Sequence, residues 1–311
     1  MGDDIDSSQP PFISTAPPYV STFPPHVSSR PARPSSNKLS MAPSASPDSV
    51  PPKEDPGESL VALLDIVSPS DLSVVFQPIV SMDTGRTFAQ EALVRCSVAD
   101  YQSPPVLFEA AVNSGCTGRL GRMIREICVP LSAGSPLFVN IHPAELSEGW
   151  LVRPDDPIYQ HDDEVYLEVT ESVPMTHFAL CMSVLKEVGS RGGVYLVVDD
   201  LGAGYSNLMR IADLEPRVVK LDRLLIAGID QNRRQRELVR AVVDLCVRLG
   251  ARVVAEGIET VGEWSVVRDL GAHYGQGYLL GRPGFPAPPV SWPGAATQAS
   301  VAPPTRPSGL G

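Results

Sequence analysis

Residues Val194–Leu208 read VYLVVDDLGAGYSNL. A run of apolar β-forming residues leads into two adjacent aspartates, Asp199 and Asp200, and then into a Gly-x-Gly turn. A strand this apolar is expected to be buried. Paired carboxylates at a buried strand end repel each other or take up a proton unless a counter-charge is present. A divalent cation is the counter-charge that suits them. Neighbouring strand residues point to opposite faces, so both aspartates can face one site only if the backbone turns there. The glycines at 202 and 204 are expected to permit that turn.

Outward from this stretch, similar β-rich runs recur. They are SVVFQPIV (73–80), FAQEALVR (88–95), PLFVNI (136–141), VYLEVT (165–170), PRVVKLD (216–222), RVVAEGI (252–258) and HYGQGYLL (273–280). Helical patterns fall between most of them: VLFEAAVNSG with RLGRMIREICVPL, then HFALCMSVLKEVGSRG, RQRELVRAVVDLCVRLG and TVGEWSVVRDLG. In the helix from Arg234, Leu238, Val242, Val243 and Cys246 form the predicted apolar stripe, widened by Val239 and Leu245. Eight strands alternating with helices predict an α/β fold, a (β/α)8 TIM-barrel-like single domain over residues 58–284. The flanks, 1–57 and 285–311, are rich in Pro and Ser and lack apolar periodicity, as in QPPFISTAPPYVSTFPPHVSSRPARPSS. They are expected to be disordered tails, with a docking or localising role as the alternative.

The formal net charge of −11 over 311 residues lacks the basic footprint that a nucleic-acid-coating protein needs. The five cysteines are scattered without a C-x-x-C pair, which speaks for reduced thiols rather than zinc or disulfides. No apolar run reaches membrane-spanning length, so the expected location is the cytoplasm.

In barrels of this type, chemistry gathers at the C-terminal ends of the strands. Those ends carry Glu91, Asn140, Glu168, Asp199 with Asp200, Lys220, Glu256 and Gln276. Five carboxylates, two amides and a lysine on one rim suit the hard cations Mg²⁺ or Mn²⁺ better than zinc. A metal pair suits in-line attack on a phosphodiester. His142 and His273 are not spaced as a ligand pair and are read as structural.

At these residues the chain resembles the EAL-domain family of cyclic di-GMP phosphodiesterases. EALVR (91–95) looks like the motif that names the family. FQPIV (76–80), VNIHPAEL (139–146), LEVTES (167–172), DDLGAGYSNL (199–208), VKLDR (219–223), VAEGIET (254–260) and QGYLLGRP (276–283) stand around it in the family's order. The resemblance implies that Glu91, Asn140, Glu168 and Asp199 are the main metal ligands. It implies that Asp200 and Glu256 serve a second metal or the activated water, and that Lys220 contacts that water. Gln77, Leu93 and Arg95 match positions that contact the dinucleotide, and Gln276 a polar position near substrate. Glu171 matches a glutamate that steadies the loop after the paired aspartates, and Glu259 a recurrent position. No residue of the metal-binding set is missing, which favours hydrolysis of cyclic di-GMP to linear pGpG over a receptor that binds without turnover. Leu201 stands where phenylalanine is usual, and the segments after Arg95 and after Asn140 are short. Those shortenings put the usual homodimer geometry in doubt. A protein partner for the Pro-rich tails is the alternative to a passive role.

Overall fold

A computed structural model of the chain describes residues 63–170, 178–202 and 208–293. Its strands are β1 (Leu72–Ser81), β2 (Thr87–Cys96), β3 (Leu137–Asn140), β4 (Val165–Thr170), β5 (Val194–Leu201), β6 (Val218–Leu221), β7 (Arg252–Ala255) and β8 (Tyr274–Gly275). They close a barrel in chain order. The helices are α1 (Leu63–Ile66), α2 (Pro104–Asn113), α3 (Thr117–Leu131), α4 (Glu145–Glu148), α5 (Phe178–Ser190), α6 (Leu208–Leu214), α7 (Arg223–Ile226), α8 (Arg233–Arg248) and α9 (Val261–Asp269).

One strand departs from the regular alternation. β1 is antiparallel to both of its neighbours, β2 and β8, while the other neighbouring pairs are parallel. Only a tight turn joins β1 to β2, closed by Ser81 N–H donating to the Arg86 carbonyl at 2.9 Å. Glu91, expected at a strand end, therefore lies mid-strand in β2, opposite Gln77 of β1.

The barrel interior has two layers, and the period of two along each strand builds both. The lower layer is a buried cluster of Ile79, Ala89, Phe138, Tyr166, Val197, Val218, Val254 and Tyr274. Each of these residues lies two positions from a polar one: Gln77, Glu91, Asn140, Glu168, Asp199, Lys220, Glu256 and Gln276. Because β1 runs the other way, its polar residue precedes its apolar one, yet both land in the same layers as the rest. Stacked rings seal the lower layer, Phe138 on Tyr166 at 4.4 Å and Phe88 on Tyr274 at 4.0 Å. The polar layer thus rests on an apolar floor that excludes water from below.

Outside the barrel, α8 buries Val239, Val243 and Cys246, whereas Leu238 is 53% exposed. The buried face is rotated by about one residue from the predicted stripe, since i, i+4, i+7 from Val239 already fills the contact with the sheet. The Pro-containing segment after α4 is fastened to α3 by Arg125, which is fully buried. Its Nε donates to Asp156 Oδ1 at 3.0 Å, its Nη2 to Asp156 Oδ2 at 2.8 Å, and its Nη1 to Glu145. A guanidinium forked between two carboxylates satisfies its own donors, whereas removing it would leave two buried anions.

The segment from Phe285, read as the start of a tail, packs on the barrel as far as Trp292. Phe76 and Gly284 exchange backbone hydrogen bonds, and Ser291 N–H donates to the Leu280 carbonyl at 2.8 Å. The Trp292 ring meets Trp264 edge-on at 5.1 Å and closes over Gly85, where a Cβ would come within 2.6 Å of the indole. An extended Pro-rich strap needs few backbone donors, and its aromatic side chains meet Phe76 of β1, Trp264 of α9 and the β1–β2 turn at Gly85. Trp292→Ala should cost about 2 kcal/mol, roughly half the usual loss for a core aromatic because the ring is only half-buried. That corresponds to a melting temperature lower by about 4–8 °C for a domain of this size. A chain ending at residue 284 should melt lower than one ending at residue 293; equal melting curves would show that the strap adds nothing.

Candidate active site

The polar layer converges on one ammonium. Lys220 Nζ lies 2.7 Å from Glu168 Oε1, 2.7 Å from Glu256 Oε1, 3.4 Å from Asp199 Oδ1 and 3.5 Å from Glu91 Oε2. Lys220 is 1% exposed and Glu168 fully buried. VKLDR is therefore no surface ion pair. Asp222, the other polar residue of that stretch, caps α7 by accepting from Leu224 N–H at 2.8 Å.

Burial works against a charge on Lys220, but attraction by Asp199, Glu168, Glu256 and Glu91 outweighs it and holds the ammonium well above the ordinary lysine range. Burial, followed by the Glu91 charge, pushes Glu168 well above the usual carboxylate range. Burial likewise raises Glu256. Glu91 goes the other way: its burial is outweighed by Lys220 and by hydrogen bonds from Gln276 and Asn140. Asn140 Nδ2 donates to Glu91 Oε1 at 3.1 Å, while Gln276 Nε2 donates to Glu91 Oε2 and, at 3.2 Å, to Gln77 Oε1. Gln77 Nε2 in turn donates to the Gly281 carbonyl at 2.9 Å. The two glutamines are thus a linked pair that orients Glu91.

Asp199 and Asp200 do face the same site. Asp200 adopts the left-handed conformation, φ 58°, and the β5–β6 register shifts between Val198 and Leu201. Aspartate tolerates that conformation better than most side chains. The turn is therefore made at Asp200 itself, ahead of the glycines expected to supply it. Asp200 N–H donates to Asp199 Oδ1 at 2.9 Å. Burial, then the Asp199 charge, pushes the Asp200 carboxyl up to about 6. Ligand oxygens of Asp199, Asp200 and Glu256 lie within 4.8 Å of one another.

These residues fit a hard divalent cation. Four carboxylates around one ammonium leave an excess of negative charge in a buried layer. Glu168 Oε2 is buried without a hydrogen-bond partner among the described residues, while Oε1 has the Lys220 ammonium 2.7 Å away. A buried carboxylate oxygen left over in such a set is what a Mg²⁺- or Mn²⁺-type ion would satisfy.

Two clefts flank Glu91. One, of about 410 Å³, has Leu93, Arg95, Asn140 and Phe108 in its walls. The other, of about 440 Å³, is walled by Gln77, Gln276, Glu256, Arg223 and Tyr278. Arg95 commits Nη1 to the Val94 carbonyl at 2.8 Å. Glu259 pairs with Arg223 at 3.0 Å on the rim of the second cleft. Glu171 lies outside the described residues, as do Gly204, Tyr205 and Ser206.

Sequence reasoning passed over three supports. Glu263 is buried at the start of α9 and accepts from Gly228 N–H at 2.8 Å, Glu259 N–H at 2.9 Å and Thr260 N–H at 3.0 Å. It thereby fixes the loop that follows Glu256. The Thr260-x-x-Glu263 spacing is a capping-box signature and was legible. Gly277 was legible only as a glycine: a Cβ there would lie 2.2 Å from the Ile258 backbone, so the chain beyond Gln276 can pass only without a side chain. Tyr278, half exposed and stacked under Arg282 at 4.2 Å, carried no signal of its own.

The chain matches the EAL domain model over residues 61–283. It is 28% identical over 232 residues to the cyclic di-GMP phosphodiesterase PA2567 of Pseudomonas aeruginosa, covering 70% of this chain and 39% of that one. Among solved structures it resembles Klebsiella pneumoniae BlrP1 in a manganese and cyclic di-GMP complex, with 30% identity and a TM-score of 0.60 over 69% of this chain and 56% of that one. The PaMucR phosphodiesterase in complex with c-di-GMP is 27% identical with a TM-score of 0.62, covering 73% of this chain and 97% of that one. The chain spans about a third of the length of the curated relatives it matches. With the family's motifs on successive strands of one closed barrel, the chain belongs to the EAL domain family.

Proposed function

We propose that this chain hydrolyses one phosphodiester of cyclic di-GMP to linear pGpG with Mg²⁺ or Mn²⁺ bound. The observation that carries this reading is the buried layer in which Lys220 contacts four carboxylates between two clefts. A ligand with two nucleotide halves would place one half in each cleft and a phosphodiester over Glu91.

Glu91, Asn140, Glu168 and Asp199 would hold one cation, and Asp200 with Glu256 would complete a second site. A divalent cation there neutralises phosphate charge and lowers the pKa of a water. The remaining work belongs to the chain. Lys220 stays protonated among its carboxylates, so it donates a hydrogen bond and orients the attacking water rather than removing its proton. Asp200 or Glu256, whose oxygens lie within 4.8 Å of each other and of Asp199, accepts that proton. Arg95 balances charge on the dinucleotide, Leu93 lines its apolar cleft, and Gln77 with Gln276 keeps Glu91 in register. Glu171 is proposed, from the resemblance, to steady the loop after Asp200.

Purified protein, cyclic di-GMP and chromatography of the products test the reading directly. EDTA should abolish pGpG formation, and Mg²⁺ or Mn²⁺ should restore it, with Ca²⁺ a poor substitute because its longer bonds and looser geometry misplace the water. Full activity after exhaustive metal removal would sink the metal-dependent mechanism. Binding of cyclic di-GMP without turnover would make the chain a receptor instead.

Lys220→Ala removes the orienting donor and the counter-charge together. We expect kcat to fall by about 10²–10⁴ with KM nearly unchanged. Melting should drop in chelator and recover in Mg²⁺, because a bound cation offsets the carboxylates that Lys220 leaves behind. Normal turnover with much weaker binding would instead make Lys220 a substrate contact.

A further inference from the structure

His142 stands two residues beyond Asn140, at the start of the turn into α4, and the mechanism above leaves it unused. Its ring is held from several directions. Nδ1 accepts from Ala144 N–H at 3.1 Å, and the ring lies nearly parallel to Phe108, 6.3 Å away at 14°. The turn itself is closed by Glu145 N–H donating to the His142 carbonyl at 2.8 Å, and Glu145 is tied to the buried Arg125. Because Nδ1 accepts a hydrogen bond, the ring proton sits on Nε2. Nε2 makes no hydrogen bond among the described residues.

The half-buried ring lines the cleft of about 410 Å³ on the Leu93 side of Glu91. The other walls there are largely apolar, with Pro105, Phe108, Ile124 and Ile141. Such walls suit the flat face and rim of a base rather than a phosphate. A single fixed N–H in an apolar wall asks for an acceptor on that rim. Arg95, on the same wall, has already committed one N–H to its own backbone and lies nearer the charge of Glu91 in sequence and strand.

We propose that His142 Nε2–H donates to O6 of one guanine of cyclic di-GMP and so selects guanine over adenine. The proposal rests on cyclic di-GMP being the substrate. Guanine presents two acceptors along that edge, whereas adenine replaces O6 with an amino donor. A donor facing a donor leaves a buried N–H without a partner, and sites that hydrogen-bond a substrate group reject analogues lacking it strongly. The ring is already immobilised by Phe108 and Ala144, so little side-chain freedom is lost on binding.

Steady-state hydrolysis by the full chain with Mg²⁺ tests this, with cyclic di-GMP as substrate and cyclic di-AMP as substrate or competitor. His142→Phe keeps a flat ring against Phe108 and removes the donor; His142→Asn restores a shorter N–H donor. The Phe variant should raise KM for cyclic di-GMP about tenfold with kcat within about twofold, and narrow the preference over cyclic di-AMP by a similar factor. His142→Asn should recover part of both. Should the Phe variant fail to fold, His142→Leu carries the same comparison. Unchanged KM and selectivity, or a loss confined to kcat, would overturn the role of His142 while leaving the substrate in place. A wild-type chain that neither binds nor hydrolyses cyclic di-GMP would overturn the substrate assignment, and this inference with it.

Discussion

The ammonium of Lys220, held within 3.5 Å of four carboxylates inside a closed barrel, is the interaction on which the site depends. None of these groups would tolerate such burial alone. An isolated buried ion loses several kcal/mol of hydration, and even beside Lys220 burial holds Glu168 and Glu256 above the usual carboxylate range. The lysine makes the layer possible, and the carboxylates in turn keep the lysine charged. Their excess charge is the physical reason that the layer fits a divalent cation.

This arrangement is possible because the barrel supplies an apolar floor two residues below every polar position. The floor does more than contribute buried area. By excluding water on one side, it leaves the polar layer open toward the clefts that flank Glu91. It also explains why β1 can be reversed without harm. In a strand of period two, reversing direction exchanges which residue comes first but leaves the same residues facing inward, so Gln77 and Ile79 still join their layers.

Around the layer, hydrogen bonds hold loops that have no ladder of their own. Glu263 collects three backbone N–H groups and so holds the chain beyond Glu256. Asp200 turns the backbone in a conformation that L residues seldom adopt, at the position where two carboxylates must share one site. Strain of this kind persists where surrounding contacts over-determine the geometry, and it clusters at functional sites. On the outer wall, the Arg125 fork secures the segment leading from Asn140, and the strap carries Trp292 onto Trp264 of α9 and the β1–β2 turn at Gly85.

The alternation of β-rich and helical runs was sufficient, by itself, to place Asn140, Glu168, Asp199, Lys220, Glu256 and Gln276 at strand ends on one rim. Strand period and apolar patterning are local properties, and the rim follows from them once the strands are parallel. The direction of β1 was not local: a turn and a reversed strand have the same composition as a strand followed by a short loop. Nor could the pattern in α8 separate Leu238 from Val239, because an apolar run broader than one face leaves its rotation to the packing partner. The strap beyond Phe285 was misread for a related reason: Pro-rich composition predicts extended chain but not whether that chain finds a surface. Only the closed barrel decided that Lys220 meets four carboxylates at once, since those residues come from five different strands or strand ends and none is near another in sequence. The chemistry of the residues was written in the chain; their distances, burial and charge balance exist only after eight strands close on themselves.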